Sequence, residues 1–210
     1  MKRDKAQSVP VNGLSAAITV SPPSARYDPL TRFLHWSMAL GLGAQIALGL
    51  SMTHAGLTDT QAYRAFQVHR ALGVTLGILA MLRVLWRLGH RLPYPHRSQS
   101  RLVAGLARGG HALLYSGQIL LPLTGYGLAC AAGPDMPLSM FGLFDWPLLS
   151  FSPGETGVII LTAAHRWGAW VFALLIAGHA AAALCHAALA HDDVWKRMGP
   201  SFPCRSRSRR

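Results

Sequence analysis

The sequence predicts an all-α integral membrane protein built as a four-helix bundle. Of its 210 residues, 51% are hydrophobic and only 13% are charged, whereas a soluble domain usually carries about 25% charged residues. The apolar residues form four long runs, and each is long enough for a bilayer that requires ~20 residues per crossing. In the fourth run, His165 and His179 stand 14 residues apart. Composition, segment length and these two histidines together predict the fold class.

The chain divides into one membrane domain and two polar ends. Residues 27–198 form the predicted domain, with spans at about 33–53, 66–88, 106–132 and 157–190. Asp28 followed by Pro29 indicates the start of the first helix, because proline is favoured at the first helical position. Residues 1–26 are predicted to be a disordered cytoplasmic arm, too weakly apolar for a signal peptide. Residues 199–210 are predicted to be a basic cytoplasmic tail.

The basic residues predict the orientation of the spans. All but three of the 20 lysines and arginines lie before span one, at the end of span two and around the loop that follows it, or after span four. The exceptions are Arg64, Arg70 and Arg166. Because positive residues favour the cytoplasmic side, both termini and the middle loop are predicted to be cytoplasmic. The protein is therefore expected in a bacterial inner membrane as a multi-pass protein.

Several other function classes find no support in the sequence. The net charge of +12 reflects this loop asymmetry, so no nucleic-acid partner is predicted. The cysteines do not form the Cys-x-x-Cys-His pattern of covalent haem attachment. There is no glycine-rich nucleotide-binding loop and no nucleophile elbow. The apolar loop at 132–156 is predicted to lie as a cap over the outer end of the bundle.

His165 and His179 project from one face of the fourth helix. Fourteen steps of about 100° bring a helix to within about 40° of its starting direction, and separate the two residues by ~21 Å. Both imidazoles therefore fit within the ~30 Å hydrocarbon core. A histidine in such a segment costs free energy unless something there uses it. We interpret each as an axial ligand of a haem iron.

Depth in the membrane predicts which histidines face each other. The alternating direction of the spans puts His35 at the depth of His179, and His69 at the depth of His165. We call His69 and His165 the outer pair, and His35 and His179 the inner pair, after the predicted sides. Two imidazoles on opposite faces of a haem make a six-coordinate electron carrier, so the fold is predicted to stack two haems across the bilayer.

Other residues near the pairs suggest how a porphyrin is accommodated. Glycines let a flat group come close to a helix, and three of them lie near the ligands: Gly73, Gly168 and Gly178. Arg70 and Arg166 adjoin the outer pair and are predicted to bind the haem propionates, since arginine suits carboxylates. His111 and His186 are alternative inner ligands. Tyr115 and Gln118 are read as packing residues in preference to a quinone site.

Five segments, taken in order, resemble the bacterial cytochrome b561 family. They begin at Arg26-Tyr27 with Thr31-Arg32-Phe33-Leu34-His35-Trp36, and continue with His69-Arg70-Ala71-Leu72-Gly73, Pro122-Leu123-Thr124-Gly125, the loop Phe141–Pro147, and His165 with His179. The resemblance covers about residues 26–200. It implies a four-helix bundle with two b-type haems that exchanges electrons with the quinone pool, with its ligands at His35, His69, His165 and His179.

The resemblance leaves the electron donor open. We expect transmembrane electron transfer with ubiquinone as acceptor and a small donor or periplasmic redox protein as partner. Superoxide is one donor that the resemblance implies, since some members of that family are thought to oxidise it. Arg70 and Arg166 would attract such a small anion, and the protein would then be a superoxide:ubiquinone oxidoreductase. An alternative is a membrane-anchor cytochrome b subunit of a hydrogenase or dehydrogenase complex. A transporter with histidine proton relays is a third hypothesis.

Overall fold

The described part of the chain folds into four long helices and one short hairpin. The computed structural model describes residues 26–90, 101–190 and 197–199. The predicted arm before Arg26, the tail beyond Gly199, His96 and His191 lie outside the described residues. The helices are α1 (Pro29–His54), α2 (Asp59–Gly89), α3 (Arg101–Ala131) and α4 (Gly154–Cys185), with strands β1 (Leu138–Ser139) and β2 (Asp145–Trp146) before α4.

Side-chain caps begin α1 and α2. The Asp28 carboxylate accepts hydrogen bonds from the Thr31 backbone N–H at 2.9 Å and from its hydroxyl at 2.5 Å, so the predicted helix start is confirmed. Burial raises the pKa of Asp28, but these hydrogen bonds outweigh it and leave the pKa below its ordinary value. Thr58 and Gln61 form a capping box at α2, which satisfies two of the free N–H groups of the first turn.

The helices extend beyond the apolar runs that predicted them. α2 begins at Asp59 and α3 at Arg101, seven and five residues before the predicted spans at 66 and 106. The first turn of α2 is polar and is capped by Thr58, whereas the first turn of α3 is apolar after Arg101. At the other end of the chain, the predicted fourth span is not one regular helix. α4 ends at Cys185 and a π-helical turn covers His186–Ala190.

Three of the four helices, α1, α2 and α4, are long and apolar enough to cross a membrane. α3 is equally long at 31 residues, but polar side chains such as Tyr115, Gln118 and Thr124 interrupt its apolar half. The sequence predicted a third span at 106–132, and the crossing by α3 stays a prediction. Large apolar side chains lie exposed along the helices, as expected for surfaces that face lipid; examples are Leu40 at 75%, Leu85 at 60% and Leu174 at 71%.

The helices pack in chain order. α1 lies along α2, α2 along α3, and α3 along α4, whereas in the described residues α4 does not lie closely along α1 or α2. Small residues allow the close approaches. A Cβ on Gly117 would come within 2.3 Å of the Phe172 ring, and a Cβ on Gly77 within 3.0 Å of Pro122. The bundle is therefore tight along α2, α3 and α4 and more open where α4 faces α1 and α2.

The loop between α3 and α4 packs on the end of the bundle. Leu138 and Met140 are buried against Ala71 of α2 and Ala129 of α3, and Tyr126 donates a hydrogen bond to the Pro147 carbonyl at 2.8 Å. The turn between β1 and β2 contains Phe141 and Gly142, both with positive φ, as in the primed turns that hairpins favour. The predicted cap is confirmed as a structure, and its side of the membrane stays a prediction.

Candidate metal centres

The structure brings the outer pair together across two helices. His69 of α2 and His165 of α4 face each other with ring centroids 6.3 Å apart and ring planes at 79°. Both side chains are half-buried. Among the described residues α2 and α4 do not lie closely along each other, so the two imidazoles face each other across the open part of the bundle.

Contacts from α1 and α3 surround the outer pair. Thr124 Oγ1 lies 2.9 Å from His165 Nδ1, and a Cβ on Gly125 would come within 3.1 Å of His165 Cε1. On the other side, Gln45 Nε2 donates to the His69 backbone carbonyl at 2.9 Å. The outer pair therefore rests on α3 through its His165 side and on α1 through its His69 side.

The inner pair is also brought together, and a third histidine joins it. His35 of α1 and His179 of α4 have ring centroids 6.2 Å apart and ring planes at 77°. His111 of α3 stands 5.4 Å from His179 on the same measure, and its Nδ1 bonds the Ala107 carbonyl of its own helix at 2.7 Å. The depth pairing from sequence thus matches the geometry, and the sequence alternative His111 is also at the site.

The centroid distances allow one metal ion in each pair. An imidazole nitrogen binds a metal at about 2 Å, and with the ring radius added, two opposed rings on one metal have centroids about 6.3 Å apart. The outer pair at 6.3 Å and the inner pair at 6.2 Å both meet this requirement. The 5.4 Å between His111 and His179 is too short for it. The geometry therefore favours His35 over His111 as the partner of His179.

The chemistry of the donor set fits a cofactor that bridges opposed histidines. The described residues hold no cluster of three or more histidine, cysteine or acidic side chains. Two-histidine ligation of a haem needs no such cluster, so the donor set fits haem better than a protein-only metal site.

The two arginines predicted at the outer pair differ in their surroundings. Arg70 is 8% exposed and donates to the Met136 and Pro137 carbonyls at 3.2 to 3.4 Å. It also lies over the Phe66 ring, with its guanidinium carbon 5.3 Å from the centroid. Arg166 is exposed beside His165. The structure therefore gives Arg70 a role in holding the loop, and its predicted contact with a propionate stays a prediction, as does that of Arg166.

Other polar residues at the inner end contact one another. Arg87 Nη1 donates to the Tyr115 hydroxyl at 2.9 Å, and the guanidinium carbons of Arg83 and Arg87 lie 5.7 and 5.3 Å from the Tyr115 ring centroid. Tyr115 thus contacts two cations, which agrees with its interpretation as a packing residue. His186 lies in the π-helical turn after α4, and its prediction as an alternative inner ligand stays a prediction.

Sequence reasoning missed three residues that support the outer pair: Gln45, Thr124 and Gly125. Thr124 and Gly125 stood out only as part of a motif, and no function was attached to them. A glutamine inside an apolar helix is itself a signal, because polar side chains in membrane helices usually bond across to a neighbour. The partner of each depends on which helices lie side by side, and hydropathy does not give that information.

A helical membrane bundle with opposed histidine pairs defines a class, the membrane cytochromes of b type. Comparison with known proteins agrees. The chain belongs to the prokaryotic cytochrome b561 family, whose family model matches residues 26–201. It is also 33% identical over 173 residues to cytochrome b561 homolog 2 of Escherichia coli (strain K12), an alignment that covers 82% of this chain and 90% of that protein. The chain is therefore a bacterial membrane protein of a haem b family that transfers electrons across membranes.

Proposed function

We propose that the protein binds two haems b, one between His69 and His165 and one between His35 and His179, and passes electrons between an outer donor and quinone. The observation that carries this proposal is the pair of centroid distances, 6.3 and 6.2 Å, at two levels of α4. Haem b, when bound, supplies reversible one-electron iron chemistry. Bis-histidine ligation suits that purpose because it leaves no iron position open.

The contribution of the chain is to hold four imidazoles in fixed orientations at two depths. His165 and His179 are both on α4, so the rigidity of one helix sets the distance between the two levels. His69 and His35 come from α2 and α1, and Gln45 ties these two helices together at the level of His69. Arg166, exposed beside His165, and Arg70 are proposed to meet the propionates of the outer haem.

A difference spectrum of the purified protein tests haem binding. The reduced-minus-oxidised spectrum should show a sharp Soret band and a split α band. Mixing the chemically reduced protein with a soluble ubiquinone analogue under anaerobic conditions should then reoxidise both haems. Failure to reoxidise would contradict quinone as the acceptor and leave haem binding intact.

Superoxide is the proposed donor, because the exposed Arg166 lies beside His165 at the predicted outer end and favours approach of a small anion. Stopped-flow mixing of the oxidised protein with superoxide should reduce haem. The Arg166→Gln variant should be reduced more slowly than the native chain, and the difference between the two rates should grow as the ionic strength is lowered. An absence of haem reduction in the native chain would contradict this donor.

One observation favours the alternative of a membrane-anchor subunit. The tip of the hairpin exposes large apolar side chains, with Phe141 at 53%, Leu143 at 81% and Phe144 at 55%, at the end of the bundle predicted to face outward. Contiguous exposed apolar residues of this kind often mark a contact with another protein. Purification in mild detergent decides between the two: a soluble redox subunit that co-purifies supports the anchor function.

A further inference from the structure

Thr124 contacts the ring nitrogen of His165 that would not bind iron. Its Oγ1 lies 2.9 Å from Nδ1 of His165 on α4, and this is a side-chain hydrogen bond between residues 41 positions apart in sequence. The same oxygen donates to the Leu121 carbonyl, one turn earlier in α3, at 3.0 Å. Both groups are half-buried, so water competes weakly for this bond.

The two hydrogen bonds of Thr124 determine the direction of each proton. A hydroxyl has one proton to donate, and a carbonyl oxygen only accepts, so the Thr124 proton points to Leu121. Thr124 Oγ1 must then accept a proton from His165, which places that proton on Nδ1. Nε2 of His165 is left unprotonated, and an unprotonated nitrogen is what a metal requires.

We propose that Thr124 is a positioning residue for His165 that fixes its tautomer and the rotation of its ring, so that Nε2 presents its lone pair to the outer haem. This inference rests on the proposed function. A ligating histidine generally uses its second nitrogen in such a bond, which orients the ring and raises its basicity. Thr124 supplies that bond here from a helix that contributes no ligand.

The residues of α3 next to Thr124 also constrain the position of the His165 ring. Gly125 faces the His165 ring so closely that a Cβ would come within 3.1 Å of Cε1, a separation that forces the ring or the helix to move. Pro122, one turn earlier, lies against Gly77 of α2. The segment Pro122-Leu123-Thr124-Gly125 therefore places α3 between α2 and α4 and sets the orientation of one ligand.

The outer pair is asymmetric in this respect. Nδ1 of His165 has the hydroxyl of Thr124, whereas Nδ1 of His69 is buried with no partner among the described residues. A change at Thr124 should therefore act on one ligand of one haem and leave the inner pair unaffected.

The test compares Thr124→Val and Thr124→Ser in the full-length haem-loaded protein. Valine keeps the shape and loses the hydroxyl, and serine keeps the hydroxyl. In Thr124→Val, the outer haem should be transferred to an apo-globin scavenger about 10- to 100-fold faster, the usual effect of losing such a partner. Its midpoint potential should rise, because a less basic imidazole stabilises ferric iron less, and its low-spin EPR signal should change. Thr124→Ser should restore all three measurements.

Thr75→Val is the matched control. Thr75 bonds the carbonyl of its own helix, at Ala71, at 2.9 Å, and no contact described here joins it to a histidine. The Thr75→Val variant should leave the potential and the EPR signal of both haems unchanged. Gly125→Ala provides a second route to the same ligand, and it should alter the outer signal through the ring position while the hydroxyl is still present.

Each outcome supports or overturns one of the two proposals. A change confined to the outer haem in Thr124→Val, restored by serine, supports the proposal. Native-like rates, potential and EPR in Thr124→Val overturn it, even though the proposed function stands. If Thr124→Val does not fold, Thr124→Ala, which also lacks the hydroxyl, takes its place: a native-like outer haem in Thr124→Ala overturns the proposal. A native protein without haem refutes the proposed function itself.

Discussion

The two ends of the bundle hold similar histidine pairs by different means. The outer pair lies beneath a hairpin, next to Thr124, with the buried Arg70 bonded to the loop. The inner pair lies where the two ends of the membrane domain meet: Tyr27, Arg32 and Trp36 donate hydrogen bonds to the carbonyls of Arg197, Gly199 and Met198. The outer pair is thus stabilised by the loop before α4, and the inner pair by hydrogen bonds between the two ends of the membrane domain.

This difference shows that the positions of the four histidines and the contacts that hold them in place come from different parts of the sequence. The 14-residue interval on α4 sets both levels, and His69 and His35 are brought opposite by the alternating helix directions. The contacts that hold each level in place come from residues far from the ligands in sequence. Arg32 and Gly199 are 167 positions apart, whereas Arg70 and Met136, which form the same kind of bond at the outer end, are 66 apart.

The largest expected effect is the loss of one haem when one ligand of either pair is removed. His165→Ala should lose about one haem of two and leave the inner spectrum, and His179→Ala should lose the other and leave the outer spectrum, because each removes one axial ligand. Haem quantitation and EPR of both variants make the measurement. Full retention of haem in either variant would contradict the pairing.

A second comparison weighs the hairpin against the hydrogen bonds between the two ends of the membrane domain. Arg70→Met should lower the free energy of unfolding by about 3 kcal/mol and Arg32→Met by about 1.5 kcal/mol, since each charge-assisted hydrogen bond contributes about 1.5 to 3 kcal/mol. Arg70 bonds two carbonyls and is more buried. Thermal unfolding in detergent gives both values, and an equal or larger effect of Arg32→Met would reverse the ranking of the two supports.

A third prediction concerns the start of α1, close to the inner end. Asp28→Ala should cost about 1 kcal/mol, the usual value of an N-cap. Because the folded pKa of Asp28 is lowered, the stabilisation by its carboxylate is complete above about pH 4 and is lost as the pH falls through the lowered folded pKa. Unfolding at pH 6 and at about pH 3 measures this difference.

Asp28→Asn is the control for this cap. Asparagine caps a helix about as well as aspartate but does not titrate in this range. The stability gap between Asp28→Asn and Asp28→Ala should therefore stay constant with pH, while the gap between the native chain and Asp28→Ala narrows in acid. Parallel behaviour of the two gaps would rule out the carboxylate as the source.

The smallest expected effect is at the third inner histidine. His111→Ala should keep both haems and shift the inner spectrum only slightly, because the 5.4 Å separation from His179 is too short for two rings that oppose each other across one metal. Haem quantitation compared with His35→Ala decides the matter. Loss of a haem in His111→Ala, with retention in His35→Ala, would make His111 the ligand and correct the inner pair.

Much of the fold followed from sequence because the relevant signals are local. Apolar runs placed the helices, Asp28 and Pro29 gave the start of α1, and the interval between His165 and His179 gave two levels. The starts of α2 and α3 were predicted less accurately, and at α2 the reason is that the first turn is polar and depends on the Thr58 cap. The π-helical turn at His186–Ala190 has no pattern in the sequence that distinguishes it from a continued helix.

The supports of the sites could not be predicted because they depend on which surfaces meet. Arg70 was read as a propionate partner, yet its donors face the Met136 and Pro137 carbonyls, a contact that requires the loop to fold back over α2. Thr124 was visible in a motif, but its bond to His165 depends on the packing of α3 along α4. Local periodicity gives the face of a helix and not the residue opposite it.

The most direct test of the central claim is the ratio of haem to protein in the purified full-length chain, combined with a redox titration. We predict about two haems b per chain, which titrate as two low-spin centres. A protein that binds no haem would contradict the account. So would a single haem that is retained in both double variants, His69→Ala with His165→Ala and His35→Ala with His179→Ala.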